Sequence, residues 1–306
     1  MAAVRLARIA ASVASGGTIG ATTVEFAARR QQRHPAATPA ATTTAPVSPA
    51  TAAAEGSPAG VPEGARGAIA TFEEALAADL AADQTDGSIT YAICRGGKVV
   101  HTRSFGFADK QDEAAANAGT IYRMGSIGKT FTAVACMRLV EEGVLSLDDA
   151  IETHVPEVKR LRGYEEHPPI TIRHVLTHTT GLQREPSDDG LLAGPFSEWE
   201  ANTITALSST GYDHAPGTKY QYCNISWAVL GVALGRAAAP LLGKAVLVPG
   251  GAYPHLLYTW VLEPLGLADS TLLLTPGDPR WGKLATGHQG KDPAQPTAEH
   301  AGRGYK

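Results

Sequence analysis

The chain is short of several things, and each shortage excludes something. It has three cysteines, Cys94, Cys136 and Cys223, in 306 residues. An odd number without metal-ligand spacing excludes a disulfide framework as the source of stability. Positive charge is not in excess: 26 Lys and Arg stand against 30 Asp and Glu, for a net charge of −4. That excludes the basic footprint of a nucleic-acid binder, so no nucleic-acid partner is expected. No stretch reads as long and apolar enough for a membrane span. Metal patterns are also scarce. His174 and His178 have the i, i+4 spacing of a zinc pair, but there is no His-Glu-x-x-His pattern and no obvious third ligand. They read as a loop histidine and a surface one, and no metal or other cofactor is expected. Arg123 to Thr130 falls one glycine short of a phosphate-binding loop. Gly128-Lys129-Thr130 is intact, but Arg123 stands at the first glycine position and no apolar strand ending in Asp follows.

What is present begins with Ser126-Ile127-Gly128-Lys129. A hydroxyl and an amine three residues apart at a helix start are neighbours on one face. This is a nucleophile with a base beside it, as acyl transfer at serine needs. Roughly 0.4 such pairs arise by chance in a chain of this composition, so context has to carry the reading. From Phe131 to Val140 only Thr132 and Arg138 are polar, which predicts a buried helix, with Gly143 as its stop. Ser126 then sits where first-turn amides and the helix dipole favour developing negative charge. A helix-capping Ser126 and a surface Lys129 are the plainer alternative.

A second signal is Tyr222-Cys223-Asn224. Asparagine occurs only at 117, 202 and 224, and a Tyr-x-Asn triplet is expected roughly 0.1 times by chance. It follows the turn signal Ala215-Pro216-Gly217 and precedes the apolar helical run Ile225 to Leu234. A phenol and an amide are thus presented at another loop-to-helix junction. Two strands, Ser88 to Arg95 and Lys98 to Phe105, are joined at Gly96-Gly97, a hairpin signal. Leu241 to Val248 and Thr271 to Thr275 are short apolar runs with strand character, the first reading rather as an insertion before the helix Tyr253 to Leu262.

With these segments in order, the chain resembles the serine β-lactamase and penicillin-binding-protein superfamily, in particular its class C-like, β-lactamase-related serine hydrolases. The resemblance runs from about Ile89 to about Gly290. It rests on Phe105-Gly106-Phe107-Ala108-Asp109, Ser126-Ile127-Gly128-Lys129 and Leu176-Thr177-His178-Thr179-Thr180-Gly181-Leu182. It continues through Pro216-Gly217-Thr218-Lys219-Tyr220-Gln221-Tyr222-Cys223-Asn224 and Pro264-Leu265-Gly266-Leu267-Ala268-Asp269-Ser270-Thr271. It implies an α+β fold in which an antiparallel sheet flanked by helices stands beside a helical region from roughly Ile121 to Leu267. It implies that Ser126 forms an acyl-enzyme on an ester, amide or β-lactam, that Lys129 and Tyr222 move protons, and that Asn224 orients substrate or Lys129. The implied partner is a small-molecule or peptide substrate.

The family's third motif, Lys/His-x-Gly on a strand that walls the site, has no strand-like counterpart here. His288-Gln289-Gly290 matches in letters but is flanked by residues that do not read as a strand. Nothing after Asn224 reads as the three consecutive strands the family sheet needs. The resemblance therefore implies a domain truncated at its C-terminal side, and it leaves a catalytically inactive, peptide-binding or partner-binding module as the alternative to an enzyme. Residues 66–290 are the expected domain and 291–306 a tail. Residues 1–65 are different material: Arg5 and Arg8, an apolar but diluted stretch Ile9 to Val24, then an Ala/Pro/Thr tract that cannot bury enough surface to fold. This front fits an export signal or membrane anchor with a linker, and its lack of acids before Glu25 also fits an organelle transit peptide; a plain disordered tail of a cytoplasmic protein is the alternative.

Overall fold

The computed structural model describes residues 60–83, 87–109, 112–187, 195–243, 250–275 and 277–287. These fall into two compact units, 60–120 with 285–287, and 121–284. His288 and the tail expected from 291 lie outside the described residues.

The first unit is a helix, α1 (Glu63–Asp83), with a hairpin of β1 (Ser88–Arg95) and β2 (Lys98–Asp109). The strands pair antiparallel from Ser88↔Gly106 to Arg95↔Lys98. Gly96 and Gly97 both have positive φ, 56° and 73°, the geometry a two-residue turn between right-twisted strands requires. A two-residue strand β3 (Ala114–Ala115) pairs with β2, so among the described residues the sheet order is β1-β2-β3. α1 is fastened to the hairpin by Phe72 edge-on to Tyr91 at 5.2 Å and by Glu73, whose Oε1 accepts from Tyr91 Oη at 2.6 Å and pairs with His101 Nε2 at 2.8 Å.

The second unit is helical. α2 (Gly128–Glu141), the short α3 (Ile172–Leu176), α4 (Trp199–Ala206), α5 (Ile225–Leu242) and α6 (Ala252–Leu257) are joined by 3-10 turns. α6 runs on into a π-helical turn, Tyr258–Leu262, so the segment expected as one helix is helical with a change of pitch. α5 is the hub: it contacts α2, α3, α4 and α6. Leu139, Ile172, Leu207, Leu230, Leu234 and Leu256 are among its fully buried neighbours and members, each contributing about 1.5–3 kcal/mol by leaving water. Contrary to the sequence expectation, α5 is long and apolar enough to cross a membrane, and it is the one such helix among the described residues. Because 67% of it is buried inside the protein, it is a core helix here.

Two other expectations are corrected. α2 is not buried all round: Thr132, Ala135, Cys136 and Leu139 face the core, while Val134 and Met137 are 43% and 41% exposed. Periodicity reports a helix's composition, not how many neighbours it has. Thr271 to Thr275 forms no strand. The Thr271 hydroxyl is shared between Tyr258 Oη and the carbonyl of Leu273, a local side-chain bond that competes with strand pairing. Of Leu241 to Val248, the first two residues end α5 and residues 244–249 lie outside the described set. Cys94 is exposed and Cys136 and Cys223 are buried, all free.

One ion cluster ties three elements together. Arg236 of α5 makes a two-pronged bond to Glu157 (2.8 and 3.0 Å) and pairs with Glu200 of α4 at 3.0 Å. The Arg236 guanidinium holds the Glu157 carboxyl below its ordinary value of 4.5. A depressed carboxyl contributes stability that is present above the unfolded value and lost as pH falls through the folded one. We expect the thermal midpoint to drop as pH is lowered from about 6 to about 3, and Arg236→Met to make that drop shallower. Parallel slopes for both proteins in a pH series of thermal melts would contradict this.

Candidate active site

The hydroxyl of Ser126 lies in a 3-10 turn, Gly125–Ile127, immediately before α2. Lys129 follows in the first turn of α2, which returns its amine to the serine: Nζ donates to Ser126 Oγ at 3.2 Å. Ser126 is exposed and Lys129 half-buried.

Tyr222 and Asn224 arrive from the loop before α5. This loop is laid down along the segment Thr177 to Leu182 by backbone bonds. Gly217 N donates to Thr179 O and Gln221 N to His178 O, both at 2.8 Å, and Asp213 N donates to Gly181 O at 2.8 Å. Gly181 has φ +74°, and a Cβ there would fall 2.0 Å from the carbonyl oxygen of His214. Only glycine fits, which explains one letter of that motif. The result brings Tyr222 Oη to 2.5 Å from Ser126 Oγ, donating to it, and Asn224 Oδ1 to 2.8 Å from Lys129 Nζ, accepting from it. The four side chains selected from sequence are therefore one constellation, although two pairs of them lie about 95 positions apart.

Three residues that sequence reading did not place in the site are built into it. Glu185 accepts a bond from Asn224 Nδ2, and the carbonyl of Arg184 accepts the Asn224 backbone N–H at 2.9 Å. An amide whose NH₂ is held by a carboxylate presents its oxygen to the lysine. The Arg184 guanidinium carbon and Lys129 Nζ each lie 4.9 Å from the Tyr222 ring centroid. His178 stacks on Tyr222 at 4.5 Å and 25°. These partners tune the phenol. Burial pushes the Tyr222 pKa up, but hydrogen bonding to Lys129 and Ser126 and the charges of Lys129 and Arg184 outweigh it, leaving the phenol below its ordinary value of 10.0. Burial, helped by Lys129, pushes His178 below its ordinary 6.5.

The two histidines with zinc-like spacing have other work. His174 Nδ1 accepts the backbone N–H of Thr171 at 3.2 Å, and the Thr171 hydroxyl accepts that of His174, a reciprocal cap on α3. His178 Nδ1 accepts from Cys223 N and Trp227 Nε1. His178 is therefore not the surface histidine the sequence suggested.

A serine hydroxyl at the start of α2 thus receives bonds from a lysine and a tyrosine. Residues 72–305 match the family model named Beta-lactamase, and the chain belongs to that family. Among curated proteins, Esterase EstB of Burkholderia gladioli is 30% identical over 189 residues, which is 58% of this chain and 45% of that protein. Protein flp of Staphylococcus aureus (strain MW2) is 30% identical over 142 residues, 46% of this chain and 28% of that protein. Among solved structures, EstCE1, described as a hydrolase with promiscuous acyltransferase activity, superposes with TM-score 0.56 at 26% identity, covering 71% of this chain and 56% of that one. The octameric penicillin-binding protein homologue from Pyrococcus abyssi gives 0.56 at 28%, covering 72% and 47%. A class C beta lactamase gives 0.57 at 24% identity, covering 74% and 56%, a likeness of fold. The chain spans about half the length of these proteins or less.

Proposed function

We propose that the chain is a serine hydrolase that forms an acyl-enzyme through Ser126 on a small-molecule or peptide ester, amide or β-lactam. The observation that carries the proposal is the convergence of Tyr222 Oη and Lys129 Nζ on Ser126 Oγ. An oxygen that only receives two hydrogen bonds is not yet activated. Attack on a carbonyl carbon requires the serine proton to leave, so one of the two donors must first give up its own. Tyr222 is the better candidate, because Lys129 and Arg184 favour the phenolate. In this scheme the phenolate takes the Ser126 proton as the C–O bond forms. The same proton passes to the departing alcohol or amine, directly or through Lys129. Water then attacks the acyl-enzyme, giving a proton to the Tyr222 phenolate, and Tyr222 passes that proton to Ser126 Oγ as the C–O bond breaks, so that the acid leaves with the serine and the phenolate both restored. Lys129, steered by Asn224, supplies the positive charge that holds the phenolate in place.

Similarity to Esterase EstB and to EstCE1, a hydrolase with promiscuous acyltransferase activity, supports an ester as the first substrate to try. A p-nitrophenyl ester of a short acid is expected to give a burst of about one nitrophenolate per chain, followed by slower turnover, the signature of an accumulating acyl-enzyme. The alternative is a β-lactamase-like binding module without catalysis. It predicts no burst and no covalent adduct, with reversible binding of peptide or β-lactam remaining.

A further inference from the structure

His178 carries an improbable set of constraints. Its φ is +56°, in the left-handed region, one of two such non-glycine residues among those described. Holding a side chain there costs about 1–3 kcal/mol and persists only where the surroundings over-determine it. They do so here from both sides of one residue. The carbonyl of His178 accepts the N–H of Gln221 at 2.8 Å. Its ring Nδ1 accepts the N–H of Cys223 at 3.3 Å. Between these two anchors, the ring of Tyr222 lies on the imidazole at 4.5 Å. Trp227 Nε1 donates to the same Nδ1 at 3.4 Å and its ring closes on the imidazole at 5.4 Å. A nitrogen that accepts two N–H groups has no proton of its own, so the ring is the neutral Nε2–H tautomer.

We propose that His178 is the positioning residue for Tyr222: its carbonyl and Nδ1 bracket Tyr222 through Gln221 and Cys223, and its ring sets the phenol at hydrogen-bond distance from Ser126. The loop around Tyr222 has no helix or strand of its own, so its place depends on bonds from neighbouring segments, and the bracket acts on the two residues that flank Tyr222. The left-handed backbone follows from the geometry, because one residue must point its carbonyl at 221 and its ring at 222 and 223 at once. This inference rests on the acyl-transfer reading for its kinetic consequence and not for its geometry.

The test is a double-mutant cycle between His178→Asn and Tyr222→Phe, read as the rate of covalent labelling of the 306-residue chain by a fluorophosphonate. Asparagine tolerates the left-handed backbone and leaves the carbonyl in place, but removes the ring. His178→Asn is expected to slow labelling at saturating probe by roughly 10–100-fold, since misplacing a reacting group by about 1 Å costs that much. The half-saturating probe concentration should barely move, while the thermal midpoint should fall, because the N–H groups of Cys223 and Trp227 lose their acceptor. In the Tyr222→Phe background the same change should cost less than about twofold, because both substitutions remove one interaction. An equal loss in both backgrounds, or none in either, overturns the proposal. His178→Gly is the substitute if the asparagine variant does not fold. A second measurement needs no activity: ¹⁵N NMR of the imidazole at neutral pH should show Nε2 protonated and Nδ1 bare. An Nδ1–H tautomer or an imidazolium overturns the bracket. If the unaltered chain takes no label at all, the hydrolase reading fails, and the NMR result alone decides the role of His178.

Discussion

Ser126→Ala is expected to reduce hydrolysis of the short-chain ester to the uncatalysed background and to abolish labelling by fluorophosphonate or β-lactam probes. The effect should be the largest of any single substitution. Removing a nucleophile that works as one unit with its base costs nearly everything the unit supplies, on the order of 10⁶ where it has been fully expressed. The variant should fold normally, since Ser126 is exposed and its side chain packs nothing. Both bonds it loses come from donors that water can satisfy. A variant that keeps its melting temperature and loses all labelling therefore assigns the loss to chemistry. Hydrolysis that survives in Ser126→Ala at the rate of the unaltered chain would remove the serine from the mechanism.

The second large effect is expected from Tyr222→Phe and Lys129→Ala, each slowing acylation by roughly 10²–10⁴, the range of general acid–base groups. The two should be far from additive, because Lys129 acts on the serine partly by favouring the Tyr222 phenolate. His174→Ala is the control. Its ring caps α3 and bonds none of the four site residues, so its loss is expected to cost about 1 kcal/mol of stability and leave the labelling rate alone. If His174→Ala stops the reaction while Tyr222→Phe does not, the proton-transfer assignment is wrong.

The parts of the fold legible in the sequence are those set by local chemistry. The hairpin follows from two glycines between β-rich runs, because the positive φ of Gly96 and Gly97 is a local necessity. α2 follows from a long apolar run with a recognisable stop, and α5 from the run Ile225 to Leu234, although the helix continues to Leu242. What was not legible depends on neighbours. The exposed Val134 and Met137 of α2 and the burial of α5 are set by what packs where, and a two-residue strand such as β3 has no sequence signal to offer. Thr271 reads as a strand residue because its type favours one, but its hydroxyl is taken up by Tyr258 and the backbone of Leu273.

The site divides in the same way. Ser126 and Lys129 are three residues apart, and Tyr222 and Asn224 are two apart, so each pair is visible as spacing. That the pairs meet was carried by resemblance to a family, not by spacing. Glu185 and Arg184 were invisible, because an acid-base dipeptide in a loop has no pattern until the loop closes on Asn224. His178 did carry a signal. It stands in the Thr-His-Thr-Thr-Gly segment that the resemblance singled out, but it read there as a surface histidine, and only the stacked Tyr222 ring shows what it faces.

The central claim is that Ser126 is the nucleophile, and peptide mapping of the covalent adduct tests it most directly. Trypsin cuts after Arg123 and Lys129, releasing Met124 to Lys129, a peptide in which Ser126 is the only hydroxyl. After reaction with a fluorophosphonate, mass spectrometry should find one adduct per chain, equal to the reagent less hydrogen fluoride, on that peptide. An adduct on any other peptide, or an unmodified Met124 to Lys129 peptide from a chain whose hydrolysis the reagent has stopped, would contradict the account.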